Sequence, residues 1–347
     1  MDLDPELPLV TADLPGTGGA IKLEPAHFVV EEIPLYEASG EGEHVFLTVR
    51  REGRTTREVQ RALAAAFGIE ERDVGCAGQK DKVARVTQAF SLPVREGSAE
   101  EVARRAAHGT GETGLEVLAA RRHGNKLRRG HLAGNRFEVL VAGARAGSAA
   151  TARAVAAALA EAGVPNFFGE QRLGPGGRGA RRGRARLEDR PGARASFVGR
   201  MQLSAWQSSL YNAWLAERMA RGWFRRVLAG DLARVHGTGG LFEVLDEAAE
   251  AERCARGEIS ATGPIFGSRM RPARGRPEEL EREVLAASGI GEEALARARL
   301  DGSRRSARVF LEAFGCEEAS EGLRMRFRLE KGAFATIALR EFTKTEG

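Results

Sequence analysis

Cysteine is scarce in this chain. Cys76, Cys254 and Cys316 are the only three, and no two of them form a C-x-x-C pair. That excludes a disulfide framework and a structural zinc finger, and it points to a reducing compartment, the cytoplasm. Long apolar runs are missing as well. No stretch of 18 apolar residues occurs, so no membrane-spanning helix is expected. The acidic start, Met1 to Glu6, lacks the basic and apolar regions of a signal peptide. The six histidines show no H-E-x-x-H spacing, so no metal site is expected. There is no G-x-S-x-G elbow, no cysteine in a catalytic context and no internal repeat.

What is present is a chain of 347 residues, 42% of them hydrophobic. At roughly 150 residues per domain the length suggests two domains, with enough apolar material for a sizeable core. The charge is modestly basic, 53 Lys+Arg against 48 Asp+Glu, or +5. Its distribution says more than its sum. Val117 to Phe137 holds Arg121, Arg122, Lys126, Arg128, Arg129 and Arg136 and no acid. Arg172 to Arg190 holds seven arginines against Glu188 and Asp189, and Arg324, Arg326 and Arg328 form a third set. Three separated clusters favour a polyanionic partner. Solvated faces paired with acids elsewhere would give the same count.

The first 140 residues read as mixed α/β. His27–Ile33 and His44–Val49 are rich in β-branched residues and Phe, and read as strands. Thr55 and Glu58 form a capping box, and the helix it opens puts Val59, Leu63, Ala66 and Phe67 on one face before Gly68. A turn holding Gly75 and Gly78 leads to a strand over Arg85–Leu92. Arg136–Val141 alternates like a strand, and Thr151–Ala162 is a helix. Arg172–Arg190, with five glycines, reads as a mobile loop. Beyond it the pattern is largely helical: Leu203, Trp206, Leu210 and Trp214 share one stripe, and Asp246–Arg256 and Pro277–Ala287 follow. Strand character returns at Arg324–Leu329, followed by a short helix over Ala335–Phe342. A lone late strand needs partners, and only the first half offers them. The expected architecture is α+β: a mainly helical domain inserted into a mixed α/β domain.

Gly174, Gly176 and Gly179 match G-x-G-x-x-G. Neither the preceding strand nor the following helix of a dinucleotide site is predicted there, so no such site is expected. Gly78-Gln79-Lys80-Asp81-Lys82 sets a carboxylate between two cations in a glycine turn. Flanking cations favour an ionised carboxylate, which suits a nucleophile or base. Taken alone, a surface aspartate with local ion pairs is the commoner case. Phe137, after Gly134-Asn135-Arg136, could stack on a base, although the alternation by itself favours a core side chain. The arginine ladder at 324, 326 and 328 could face phosphates or a neighbouring acidic strand.

Taken together, Lys22–Glu31, Gly40–His44, Gly78–Lys82, Arg122–Gly130, Gly134–Phe137, Gly163–Arg172, Leu203–Ala205 and Phe334–Glu341 resemble the TruD family of tRNA pseudouridine synthases. These stretches keep the family's order over nearly the whole chain. The resemblance implies a pseudouridine synthase catalytic core over residues 1–164 and 310–347, with a mainly helical TRUD domain inserted at 165–309. It implies isomerisation of a uridine in transfer RNA, at position 13 of the D arm, with neither cofactor nor metal. It implies Asp81 as the catalytic residue, Lys22 as its basic partner and Phe137 as the aromatic against the target base. Phe28, Gln79, Lys80 and Asn135 complete the expected substrate-binding set. For phosphates the candidates are Arg121, Arg122, Lys126, Arg128 and Arg129 near the cleft and Arg178, Arg181 and Arg182 on the insert. A monomer is the expected state. The competing reading is a non-catalytic RNA-binding protein of the same fold, in which Asp81, Lys22 and Phe137 would have no reason to occur together.

Overall fold

The computed structural model describes residues 6–110, 114–189 and 196–345. Their packing divides the chain into two compact units. One takes Met1–Pro15, Ala154–Phe310 and Phe334–Glu341; the other takes Gly16–Arg153, Leu311–Ala333 and Phe342–Gly347.

The second unit is built on one sheet. Its strands are β1 (Phe28–Pro34), β2 (His44–Glu52), β3 (Gly75–Cys76), β4 (Arg85–Leu92), β5 (Leu115–His123), β6 (Leu132–Ala142), β7 (Glu312–Ala319) and β8 (Gly322–Glu330). The order is β7-β8-β6-β1-β4-β2-β5, with β3 also paired to β4. Only β1 and β4 run parallel. The late strand β8 thus finds a partner in the first half of the chain, as expected, lying beside β6 from Gly322↔Ala142 to Glu330↔Gly134, and β7 pairs with β8 at the edge.

Helix α1 (Thr56–Phe67) starts where the capping box predicts. Thr55 accepts from Glu58 N–H, Glu58 reaches back to Thr55 N–H, and Gly68 ends the helix at φ 63°. Such a cap contributes about 1 kcal/mol. Val59, Leu63 and Phe67 face Val45, Leu47, Val49, Phe90 and Leu92 of the sheet, and helix α2 (Ala99–Gly109) adds Val102 and Ala106 to the same core. Each large apolar side chain buried here contributes about 1.5–3 kcal/mol.

On the opposite face of the sheet the arginine ladder meets acids. Arg324 and Arg326 bind Glu138 at 2.7 and 2.8 Å, Arg326 also binds Glu317 at 2.9 Å, and Arg328 lies 3.4 Å from Glu312. Alternation along β8 sends all three to one face, and the antiparallel register places the carboxylates of β6 and β7 beside them.

The other unit is mainly helical. Its longest helix, Phe197–Ala220, buries Leu203, Trp206, Leu210 and Trp214, the predicted stripe. Strands Ser303–Ser306, Ile259–Ile265, Leu232–Val235 and Leu241–Glu243 pair in that order as a four-stranded sheet that the sequence reading did not anticipate. Trp214 packs against it so closely that a Cβ on Gly263 would lie 2.2 Å from the indole. Among the described residues of this unit two ion pairs are buried, Arg218–Asp231 at 2.6 Å and Arg304–Glu281 at 2.7 Å.

The arginine- and glycine-rich stretch corrects the reading of a loop. Glu170–Leu173 is a short helix, and Arg178–Asp189 is an α-helix of 12 residues. A helix therefore does follow Gly174 and Gly176, and Gly179 lies in its first turn. Arg190 lies outside the described residues. The glycines act as contact points here. A Cβ on Gly183 would sit 2.0 Å from the Gln202 carbonyl, and one on Gly179 2.5 Å from that of Leu173, so the bare glycines let this helix seat against its neighbours. Ala180 and Leu187 are buried on it, while Arg181, Arg182 and Arg184 are exposed.

Candidate active site

The Gly78–Lys82 segment belongs to the connection between the antiparallel neighbours β3 and β4. Its backbone is held by three buried polar side chains, Arg51, Thr56 and Gln88. Arg51, on β2, donates to the carbonyls of Arg54, Lys80 (3.3 Å) and Asp81 (3.1 Å) and to the Thr56 hydroxyl. It is 1% exposed, and burial lowers its pKa to about 10. Thr56 accepts from the Lys80 N–H at 2.9 Å, and Gln88, on β4, donates to the Gly78 carbonyl at 2.6 Å.

Lys80 is an anchor. Its ammonium, almost wholly buried, lies 2.8 Å from Glu32 and 2.8 Å from the Asn135 side-chain oxygen. Those two partners sit side by side because Glu32 on β1 is in register with Asn135 on β6. With Lys80 tied down, the next side chain, Asp81, faces Lys22. The ion pair Lys22 Nζ–Asp81 Oδ2 is 2.5 Å long, and the two side chains are 18% and 25% exposed. Lys22 has φ 60°, the left-handed region that few non-glycine residues occupy. Strain of this kind gathers at functional sites. The pairing of Ala20 with Ala142 fixes the segment that carries it.

The Lys22 ammonium lies 4.3 Å above the Phe28 ring. Phe28 meets Phe137 edge-on at 5.9 Å, and Phe137 stacks on Phe327 at 5.3 Å. Asn135 and Phe137, two apart on β6, share the face that bears Lys80 and the aromatic cluster. The structure thus brings together Lys22, Phe28, Lys80, Asp81, Asn135 and Phe137. Phe137 is only 6% exposed, so it offers an edge and not an open face. Gln79 is exposed and, among the described residues, its side chain makes no hydrogen bond; it does not join the cluster.

Sequence reasoning missed Glu32, Arg51, Thr56, Gln88 and Phe327. A signal existed for three of them. Phe28, Val30 and Glu32 alternate inward, as do Val45, Leu47, Val49 and Arg51, and Val86, Gln88 and Phe90. A polar residue on an inward position must find a buried partner.

The candidate phosphate contacts divide. Arg121, Arg128, Arg129 and Arg182 are exposed and, among the described residues, their side chains form no hydrogen bond or ion pair. Arg122 is caged by the carbonyls of Gly42, Val94, Arg95 and Gly97. Lys126 donates to the Arg72 carbonyl, Arg178 to that of Pro175 and Arg181 to that of Gly176. Among the described residues no group of three His, Cys, Asp or Glu side chains is placed to hold a metal, and no helix is long and apolar enough to cross a membrane.

The pattern of the family described as tRNA pseudouridine synthase D (TruD) matches residues 6–178 and 195–342. A protein of Anaeromyxobacter dehalogenans named tRNA pseudouridine synthase D is 47% identical over 350 residues, covering 98% of this chain and 97% of its own length. One of the same name from Thermus thermophilus is 45% identical over 339 residues, covering 98% and 92%. A crystal structure of a Methanosarcina mazei protein that carries the TruD name superposes with a TM-score of 0.75 at 22% identity, over 99% of this chain and 97% of that one. At that identity the likeness speaks for the fold.

Proposed function

The chain belongs to the tRNA pseudouridine synthase D family, and from that premise we propose that it isomerises a uridine of transfer RNA to pseudouridine, at position 13 of the D arm, with Asp81 as its catalytic carboxylate. The observation that carries this reading is the Asp81–Lys22 ion pair, presented on a pinned loop beside an aromatic cluster.

The reaction breaks the bond between C1′ and N1, turns the uracil, joins C5 to C1′ and removes the proton from C5. Substrate and product contain the same atoms at the same oxidation level, so the balance calls for no redox or group-transfer cofactor. One carboxylate can serve throughout, acting first on the ribose or the base and then helping to take the C5 proton. Lys22 holds the Asp81 side chain in place, and Arg51 and Lys80 hold the backbone on which it stands. Positioning of this kind matters because a misplacement of about 1 Å can cost 10²-fold in rate. The target base must leave its stack, at a cost of a few kcal/mol. Contact with the edge of Phe137 and phosphate contacts from Arg121, Arg128, Arg129 and Arg182 offset that cost. The insert at 165–309 is read as the part of the chain that supplies the second RNA-binding surface, through Arg182.

The test is carbodiimide primer-extension mapping on unmodified tRNA, with wild type and Asp81→Asn side by side. A stop at a D-arm uridine with wild type alone is expected. Pseudouridine made by Asp81→Asn would overturn the role given to Asp81.

A further inference from the structure

The Arg122–Gly130 stretch does more than carry charge. Where it leaves β5 and returns to β6 it closes a concavity of about 510 Å³ together with the segment after β1. Tyr36, His123 and His131 supply aromatic walls; Asn125, Lys126 and Arg128 supply polar and cationic ones. Tyr36 stacks on His123 at 5.2 Å and meets His131 at 5.7 Å, and its hydroxyl is 2.8 Å from His131 Nδ1. Ser39 N–H donates to His123 Nδ1 at 3.2 Å, which puts that ring's proton on Nε2. Glu37 is the one carboxylate in the lining.

An aromatic cluster beside two cations is the combination that takes an unpaired nucleotide: rings for the base, cations for its phosphate. The size suits a ligand of that class. The pocket is also tied to the catalytic segment. Gly130 N–H donates to the Ala77 carbonyl at 2.8 Å, three residues before Lys80, and Leu127 packs with Ala77.

We propose that the Tyr36–His123–His131 pocket binds a second unpaired nucleotide of the RNA substrate, its base against Tyr36 and His131 and its phosphate on Arg128 and Lys126. This rests on the reading of the chain as an enzyme acting on tRNA. The subsite fixes which nucleotide reaches Asp81 by holding another at a set distance along the strand.

The test compares wild type, Tyr36→Ala and Arg128→Gln in two measurements, pseudouridine kinetics and tRNA binding titrated over a range of salt. Loss of a stacking ring is expected to raise KM and Kd about tenfold with kcat retained. Loss of Arg128 is expected to reduce the slope of log K against log salt by about one contact. Unchanged KM and salt slope in both variants would overturn the subsite, and so would a loss confined to kcat. Should Tyr36→Ala fail to fold, Tyr36→Leu keeps the apolar bulk and removes the stacking ring, and an unchanged KM in that variant would likewise overturn the subsite. If wild type makes no pseudouridine on any tRNA, the proposed reaction fails, while the binding titrations still decide the subsite.

Discussion

Two sets of arginines in the same unit meet opposite fates. Those of β8 stand in a cross-strand lattice with Glu138, Glu317 and Glu312. The side chains of Arg121, near the end of β5, and of Arg128 and Arg129, in the loop after it, are exposed and form no ion pair among the described residues. In the sequence both look like basic clusters. The difference is one of register. A strand brings its neighbour's side chains to within reach every second residue, so charge on a strand is answered by whatever the adjacent strand carries. An edge strand such as β5 has a neighbour on one side alone, where Arg121 is in register with Phe46, and the connecting loop that carries Arg128 and Arg129 has none. Counting arginines therefore overstates the charge available to a polyanion, and topology supplies the correction. A third fate is that of Arg51 and Arg122, whose guanidinium groups are turned onto backbone carbonyls.

The largest expected effect falls on that third class. Arg51→Met removes the donor that holds the Lys80 and Asp81 carbonyls, and kcat should drop by about 10²-fold while tRNA affinity stays near wild type. Single-turnover kinetics beside a binding titration would check this, and an undiminished kcat would refute the role. Next comes the unpartnered set. Replacing Arg121, Arg128 and Arg129 together with Gln should weaken tRNA binding more than tenfold and flatten its salt dependence by about two to three contacts. The ladder should behave in the opposite way. Replacing Arg324, Arg326 and Arg328 with Gln should leave the salt slope unchanged and cost about 1–2 kcal/mol of stability, read by denaturant unfolding. A salt slope that falls with the ladder would break the comparison.

The smallest effect sharpens it. Hydrogen bonds from Arg326 and then Arg324 hold the Glu138 carboxyl below the usual range. A depressed carboxylate stabilises the fold above its unfolded pKa, and that contribution fades as pH falls through the folded value. Glu138→Gln should therefore cost a few tenths of a kcal/mol at neutral pH and nothing once pH is well below about 4.3. Unfolding curves at the two pH values would show it.

Much of the fold can be read from the residues. Strands β1, β2, β4, β6 and β8 follow from alternation, and α1 follows from its caps. The small sheet of the other unit is not legible in this way. Ile259–Ile265 is buried almost throughout and contains Gly263 and Pro264, Leu241–Glu243 has three residues, and Ser303–Ser306 reads Ser-Arg-Arg-Ser. None of these offers a two-residue period with an apolar face. The helix Arg178–Asp189 is hidden because glycine ordinarily breaks a helix, whereas here close approach to the next helix is what requires it. At the site, Lys22, Asp81, Asn135 and Phe137 were legible as a set only through resemblance. The partnership of Lys80 with Glu32 depends on a strand register that no local pattern encodes.

The position of Phe327 has a consequence for biosynthesis. The ring stacked on Phe137 belongs to a strand that leaves the ribosome long after β6 has been made. Until Gly322–Glu330 arrives, β6 is an open edge and the aromatic cluster lacks a wall. Chains ended before that strand are thus expected to lack activity and to associate through the open edge of β6. A protein cut after residue 310 should regain activity when the missing segment is returned as a separate peptide.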